Sequence, residues 1–364
     1  MSKPEMIYRR LGNSGLHVSV ISLGGWITFG GDVAEEGTEA CMRQAYDLGI
    51  NFFDTAEGYA GGKSEIVMGN VIKKAGWKRN DLVISTKIYF GRAHGDNPVN
   101  NIGLSRKHVI EGTKASLARL QLDYVDIIYA HRPDRLTPME EVVRAFNFVI
   151  EKGWAFYWGT SEWSADEISE AVGIANRLGL IAPIVEQPLY NMLDREKVEG
   201  QFARLYERVG LGLTVFSPLK GGRLSGKYND ALERPPPGSR FAESKDVYSV
   251  GIREQWQQEE GVIKQLKGVK VRPFLFTEDG AWLWLTDHLQ ALADKLGVKQ
   301  SHLALAWCIK NENVSSIITG ASKPEQIVDN VESLKVLPLL TPEVMAEIDE
   351  ALGNKPAVAP ARVG

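Results

Sequence analysis

The sequence predicts a (β/α)8 TIM barrel, with an N-terminal β-hairpin plugging one end and extra C-terminal helices. Three observations predict it. Eight short β-branched and aromatic runs alternate with amphipathic stretches, and a helix between two strands returns the chain for parallel pairing. Most of these runs start roughly 30 residues apart, the length of one strand–helix unit. The competing doubly wound sheet calls for G-x-G-x-x-G after its first strand, but here the strand ends Leu23-Gly24-Gly25-Trp26.

In chain order, Ile7 to Val18 reads as a hairpin turning at Asn13-Ser14-Gly15. Strands are expected at Val20 to Leu23, Phe52 to Asp54, Leu82 to Thr86, Val125 to Tyr129, Phe156 to Gly159, Ile184 to Gln187, Leu213 to Ser217 and Ser316 to Thr319. Helical patterns lie between them. Thr38 to Leu48 ends on Gly49, and Ser64 to Lys74 ends before Gly76. Ser105 to Leu120 opens on a Ser cap, whose oxygen satisfies free backbone N–H groups. Thr137 to Lys152 opens with Thr-Pro at the cap and first turn. Ala165 to Leu178 and Glu196 to Val209 each close on a glycine.

Two regions break the rhythm. A long loop after the seventh strand runs through Gly221-Gly222-Arg223 and Pro235-Pro236-Pro237-Gly238, and loops of that length are usually functional or disordered. Gly268 to Asp287 interrupts a polar helical pattern that runs from Gln255 through Lys267 into His288 to Leu296. Its clusters Phe274-Leu275-Phe276 and Trp282-Leu283-Trp284-Leu285 show neither a helical nor a strand period. The expected organisation is one domain over 1–364, with 268–287 an atypical insert, either a surface loop or a translated intron.

Composition narrows the function. With 42 basic and 46 acidic side chains in 364 residues, the net charge of −4 argues against a nucleic-acid binder. Two cysteines, Cys41 and Cys308, make neither a disulfide framework nor a zinc knuckle and fit a reducing compartment. No apolar run approaches the roughly 18 residues of a membrane span, and the N-terminus has no signal-peptide core. A soluble, cytoplasmic protein without membrane insertion is expected. His17, His94, His108, His288 and His302 lack metal-ligand spacing, so no metal site is expected. Gly62-Lys63-Ser64 imitates the tail of a P-loop, but Glu57 stands at the position of its first glycine.

Active sites of such barrels form at the C-terminal strand ends. Asp54, Lys87, His131, Ser161 and Gln187 fall there, with Tyr59 in the loop above. Each has an ordinary structural reading by itself: a cap, a solvated strand end, a turn, loop packing. Together they make a proton-donor site. An ordinary phenol with a pKa near 10 is a poor acid for a carbonyl oxygen at neutral pH. A neighbouring ammonium, Lys87, lowers that pKa, and a carboxylate, Asp54, holds the ammonium. His131 would orient the carbonyl. A hydride donor is missing from the side chains, so a nicotinamide cofactor must supply it.

These residues lie in longer motifs. Gly49-Ile-Asn-Phe-Phe-Asp-Thr-Ala-Glu-Gly-Tyr59, Ser64-Glu-Ile-Val-Met-Gly69, Ser85-Thr-Lys87 and Ile317-Ile-Thr-Gly-Ala-Ser-Lys323 resemble the aldo-keto reductase signature. Within that family the chain most resembles the voltage-gated potassium channel β-subunit (Shaker-type) branch. The stretches carrying that likeness are Gly103-Leu-Ser-Arg-Lys-His108, Lys114 to Asp126, Tyr157-Trp-Gly-Thr-Ser-Glu-Trp-Ser164 and Ala304-Leu-Ala-Trp-Cys308. The resemblance covers roughly Met6 to Pro356 apart from the insert.

It implies an NADPH-dependent reductase of small aldehydes and ketones with the tetrad Asp54, Tyr59, Lys87 and His131. It also implies a cofactor shell of Trp26, Asp32, Asp54, Ser161, Gln187, Phe216, Ser217, Pro218, Leu219, Lys220, Gly221, Lys227, Arg240, Gly320, Ser322, Gln326 and Asn330. Two parts of this shell agree with the residues themselves. Ser322-Lys323-Pro324 at a helix start offers N–H groups and a cation to a 2′-phosphate. Lys227 and Arg240 in the seventh loop are placed to clamp a pyrophosphate. The substrate pocket is assigned to Trp26, Tyr59, Tyr89, Phe90 and His131, with Arg92 nearby, and suits aromatic or apolar carbonyls.

Three departures matter. The branch's animal channel subunits carry Asn where this chain has His131, which restores the reductase tetrad. Phe216 replaces a Trp and keeps an aromatic face for the nicotinamide. Glu162 replaces an Arg beside the cofactor and reverses a charge. The chain also starts close to the barrel, so the N-terminal blocking peptide of some channel subunits is not expected. The alternative reading is an NADPH-binding regulatory β subunit with slow turnover, a homotetramer partnered by a potassium channel α subunit. The enzyme is favoured because a docking-only protein has no need of His131. An isomerase or lyase rests on fold analogy alone.

Overall fold

The computed structural model describes residues 4–91, 98–229, 236–237, 239–244, 250 and 281–357. The sequence alternates strands with helices, and the strands close into a barrel. After the hairpin strands β1 (Tyr8–Arg10) and β2 (His17–Ser19), the barrel strands are β3 (Ile21–Gly24), β4 (Phe52–Asp54), β5 (Val83–Ile88), β6 (Val125–Ala130), β7 (Ala155–Ser161), β8 (Val185–Gln187), β9 (Gly212–Phe216) and β10 (Val314–Thr319). They follow chain order round the barrel, and β10 closes it against β3, every pair being parallel.

Successive strand residues face opposite ways, so residues two apart share a face. That rule layers the barrel interior. Phe52, Val83, Ile127, Tyr129 and Val185 pack together with Leu11 and Val18 of the hairpin segment. The hairpin therefore fills the N-terminal end, as expected. One step further along the same faces stand Asp54, Ser85 and Lys87, His131 and Gln187. An apolar floor thus carries a polar upper layer, all of it buried. Seating the hairpin requires close backbone approach: at Gly12 (φ +54) a Cβ would stand 2.5 Å from the Gly212 N and 2.6 Å from the Ile184 carbonyl oxygen.

The outer helices bury their apolar faces on the strands. The helix Arg106–Leu120 is capped by Ser105, which accepts from the His108 N–H. Ala165–Leu178 opens on a Ser164–Glu167 capping box and ends on Gly179 in the left-handed region. Extra turns and helices at Ser333–Leu339 and Pro342–Leu352 follow β10.

Three expectations need correction. Thr137 does not cap the fourth helix, which runs Met139–Glu151 with Pro138 at the cap position, because the Thr137 hydroxyl donates to Asp134 instead. Glu196 to Val209 is not one α-helix: a π-helical stretch Glu196–Gln201 precedes the α-helix Ala203–Val209. The end of the insert is helical: 281–287 opens the helix Ala281–Leu296, so Trp282 to Leu285 do belong to a helix. Gly268 to Gly280 and the helical pattern from 255 to 267 lie outside the described residues, as does Arg92.

Candidate active site

The site grows from the ends of β4, β5 and β8. Register sets Asp54 opposite Ser85, and Ser161 opposite Gln187. The Asp54 carboxylate then collects donors from both sides: Ser85 Oγ at 2.6 Å, Gln187 Nε2 at 3.2 Å and Lys87 Nζ at 2.5 Å. Lys87 is fully buried, and its ammonium also donates to the Thr55 carbonyl at 2.8 Å and to the Tyr59 hydroxyl oxygen at 3.1 Å. Tyr59 starts a tight turn, Tyr59–Gly62, in which Ala60, Gly61 and Gly62 all have positive φ. That turn brings a loop residue back over the barrel mouth.

His131 is 6% exposed, and its Nδ1 is buried with no hydrogen-bond partner. Its ring stands edge-on to Tyr59 at 5.7 Å between centroids and to Phe90 at 5.0 Å. The structure therefore brings Asp54, Tyr59, Lys87 and His131 together, with Phe90 against them and Tyr89 stacked edge-on to Phe90 at 4.8 Å. Trp26, at 41% exposure, follows the end of β3.

The electrostatics differ from expectation in one respect. Burial raises the Tyr59 phenol above its ordinary 10; Lys87 opposes that rise and Asp54 adds to it, so the outcome is a raised pKa rather than a lowered one. The physical reason is desolvation: a buried phenolate is poorly solvated, and the carboxylate beside the ammonium cancels part of its field. Burial pulls the Lys87 pKa down, but Asp54 and Tyr59 more than reverse it and keep the ammonium charged. Burial, Lys87 and Arg132 hold His131 well below its ordinary 6.5, so its imidazole is neutral at physiological pH.

The residues expected around a cofactor stand at the C-terminal ends of barrel strands or in the segments that follow them. Ser161 Oγ donates to the Gln187 carbonyl at 2.9 Å. Phe216 ends β9, and the turn behind it holds Ser217, Lys220 and Gly221 at positive φ. Pro218 and Leu219 lie within that turn. Lys220 is bound to Asp194 at 2.8 and 2.6 Å. Lys227 lies 4.8 Å over the Tyr228 ring, while the side chain of Arg240 lies outside the described residues. Asp32 accepts from Ser244 Oγ at 2.6 Å, linking the first loop to the seventh.

After β10 and Gly320, the N–H groups of Ser322 and Lys323 are not free as expected. Gln326 Oε1 accepts from both, at 2.7 and 3.2 Å, and from Ser322 Oγ at 3.2 Å. Asn330 follows one turn later and is buried. Glu162 accepts from the Leu189 N–H at 2.8 Å and lies 3.5 Å from Lys197, so its reversed charge has a local partner.

Sequence reading missed a second buried pair. Glu57 Oε1 accepts from the Tyr89 N–H at 2.6 Å and meets His108 Nε2 at 3.1 Å. The two residues are 51 positions apart, and no local motif links them. Among the described residues no group of three His, Cys, Asp or Glu could hold a metal, and no helix is long and apolar enough to cross a membrane.

Comparison with known proteins bears on the family. A model of the Aldo/keto reductase family matches residues 20–352. A probable voltage-gated potassium channel subunit beta of Arabidopsis thaliana is 48% identical over 353 residues, covering 96% of this chain and 98% of that protein. A protein of the same description from Oryza sativa subsp. japonica is 48% identical over 351 residues, with the same coverage. With a closed parallel barrel, a family match over most of its length and relatives similar from end to end, the chain belongs to the aldo/keto reductase family.

Proposed function

We propose that the chain reduces small aldehydes and ketones to alcohols with NADPH, and that Tyr59 is the general acid. The observation that carries this reading is the Lys87–Tyr59 hydrogen bond. An ammonium has donors only, so the Tyr59 oxygen must accept, which leaves its own O–H free to donate elsewhere. A carbonyl oxygen beside Tyr59 and His131 would receive that proton. Tyr59 is protonated in the resting site, and Lys87, which opposes the burial-driven rise of its pKa, stabilises the phenolate left behind once the carbonyl oxygen takes the proton. Asp54 holds the ammonium in position.

The neutral His131 offers the same oxygen a hydrogen bond without competing as a stronger acid. When bound, the dihydronicotinamide supplies the hydride. Ser322 and Lys323 would hold its phosphate: three donors, Ser322 N–H, Ser322 Oγ and Lys323 N–H, already converge on one acceptor, Gln326 Oε1. Phe216 would give the nicotinamide an aromatic face, and Ser161, Gln187, Lys227 and Arg240 are proposed as the rest of the shell.

Fluorescence titration with NADPH and NADH, followed by an aldehyde panel including 4-nitrobenzaldehyde, tests the reading. Tight NADPH binding with NADPH oxidation is expected; no turnover with any activated aldehyde overturns it. A second reading rests on the relatives described as channel β subunits. In it, a cytoplasmic homotetramer binds NADPH and reports its redox state to a potassium channel α subunit. Co-purification with a membrane protein from the native source would favour that role, and slow turnover is compatible with it. Residues 1–364 then form one functional unit in either reading.

A further inference from the structure

The geometry points to Glu57, anchored by His108, as the positioning residue that sets the Tyr89–Phe90 wall of the substrate pocket; this inference rests on the carbonyl-reductase reading. The pairing of β4 with β5 continues past the strand ends, through Thr55 N to the Ser85 carbonyl at 3.0 Å and Glu57 N to the Lys87 carbonyl at 3.2 Å. The next bond of a parallel ladder would run from Tyr89 N to the Glu57 carbonyl. The Glu57 carboxylate takes it instead, at 2.6 Å. The ladder stops there, and the chain turns β5 into the wall carrying Phe90.

The substitute is rigid. The Glu57 and His108 side chains are 3% and 6% exposed, and they meet at 3.1 Å. A hydrogen bond in such a dry place is stronger than one open to water. The surroundings are built to fit. At Gly112 a Cβ would stand 3.0 Å from Glu57 Oε2, and at Gly91 one would stand 2.4 Å from the His108 ring. Gly103 N holds the Tyr89 carbonyl at 2.9 Å, so Tyr89 is fixed at both its N–H and its C=O. Phe90 then stands against His131, and Tyr59 lies only two residues beyond Glu57. One buried carboxylate therefore ties the loop of the proton donor to the wall that a bulky carbonyl must contact.

Glu57→Ala should raise KM for 4-nitrobenzaldehyde by roughly tenfold with kcat within about threefold, and change KM for propanal by less than about threefold. Glu57→Gln, which keeps an acceptor oxygen, should restore most of the loss. On a Phe90→Ala background, Glu57→Ala should add less than about twofold, because the wall it holds is already gone. Amide exchange at Tyr89 should quicken in Glu57→Ala while that of Thr86 stays unchanged. Equal kcat losses on both substrates, or additivity with Phe90→Ala, overturn the inference.

Should Glu57→Ala fail to fold, His108→Ala carries the same test and should shift KM in the same direction; unchanged KM and unchanged Tyr89 exchange overturn it. A wild-type protein that turns over no aldehyde defeats the reductase reading instead. Tyr89 exchange in the variants then decides the positioning role by itself.

Discussion

The Lys87 ammonium donates to the Tyr59 hydroxyl oxygen at 3.1 Å, and its other donors are engaged by Asp54 and Thr55. The phenol is therefore an acceptor on its inner side and a donor only towards the barrel mouth.

Removing that hydroxyl isolates its role. Tyr59→Phe should lower kcat for aldehyde reduction by about 10²–10⁴-fold, the range of general acid catalysis. NADPH affinity should stay nearly unchanged, because the ring and its contacts survive. Steady-state kinetics alongside fluorescence titration measure both quantities. Loss of cofactor binding together with turnover would mean a collapsed site rather than a lost proton donor.

The same ammonium also supports the fold. Lys87 is fully buried and Asp54 nearly so, at side-chain exposures of 0% and 4%. Lys87→Met strands a buried carboxylate and should cost about 3–5 kcal/mol of stability, whereas Lys87→Met with Asp54→Asn should cost distinctly less because no unpaired charge remains. Urea unfolding of the two variants separates them. Equal losses would show that packing, not charge pairing, holds the centre.

Much of this was legible in the sequence, for identifiable reasons. Short β-branched and aromatic runs between amphipathic stretches located all eight barrel strands within a few residues, and the motif around Asp54 and Tyr59 marked two of the four residues that the structure brings together. What escaped reading depends on which partner each side chain takes in the folded chain, whether near or far in sequence. The Glu57–His108 pair joins a loop to a helix across 51 positions. Gln326 occupies the N–H groups of Ser322 and Lys323, although the spacing shows only a helix start. The raised phenol pKa of Tyr59 reflects burial, which a list of neighbours does not supply. Thr137 has the composition of a cap, but Asp134, three residues earlier, takes its hydroxyl.

The hairpin plug makes its own demand. Gly12 has φ +54, and a side chain there meets three backbone atoms between 2.5 and 2.7 Å away. Backbone cannot step aside as a flexible side chain does. Gly12→Ala should therefore destabilise by at least about 2 kcal/mol, from overpacking and left-handed strain combined. Gly15, where a Cβ meets nothing within 4 Å, is the control: Gly15→Ala should be close to neutral. Thermal melts of the pair check this, and similar melting temperatures would refute a seated plug.

Glu186 gives a pH-dependent signature beside the site. It is fully buried on β8, next to Gln187, and accepts from Thr160 Oγ1 at 2.5 Å and the Trp163 N–H at 3.2 Å. Burial pushes its carboxyl from 4.5 up to about 8. Between those two values the folded protein holds a proton that the unfolded chain has released. Wild-type stability therefore contains a contribution that is complete below about pH 4.5, shrinks as pH rises and is gone above about pH 8. Glu186→Gln lacks this titration. The stability of Glu186→Gln relative to wild type should increase from about pH 5 to about pH 8 and then level off, with other titrating groups cancelling in the difference. Urea unfolding of both proteins across that range reads it directly. A flat difference would mean that Glu186 is ionised in the folded protein throughout, and that Thr160 and Trp163 solvate its charge well enough to offset burial.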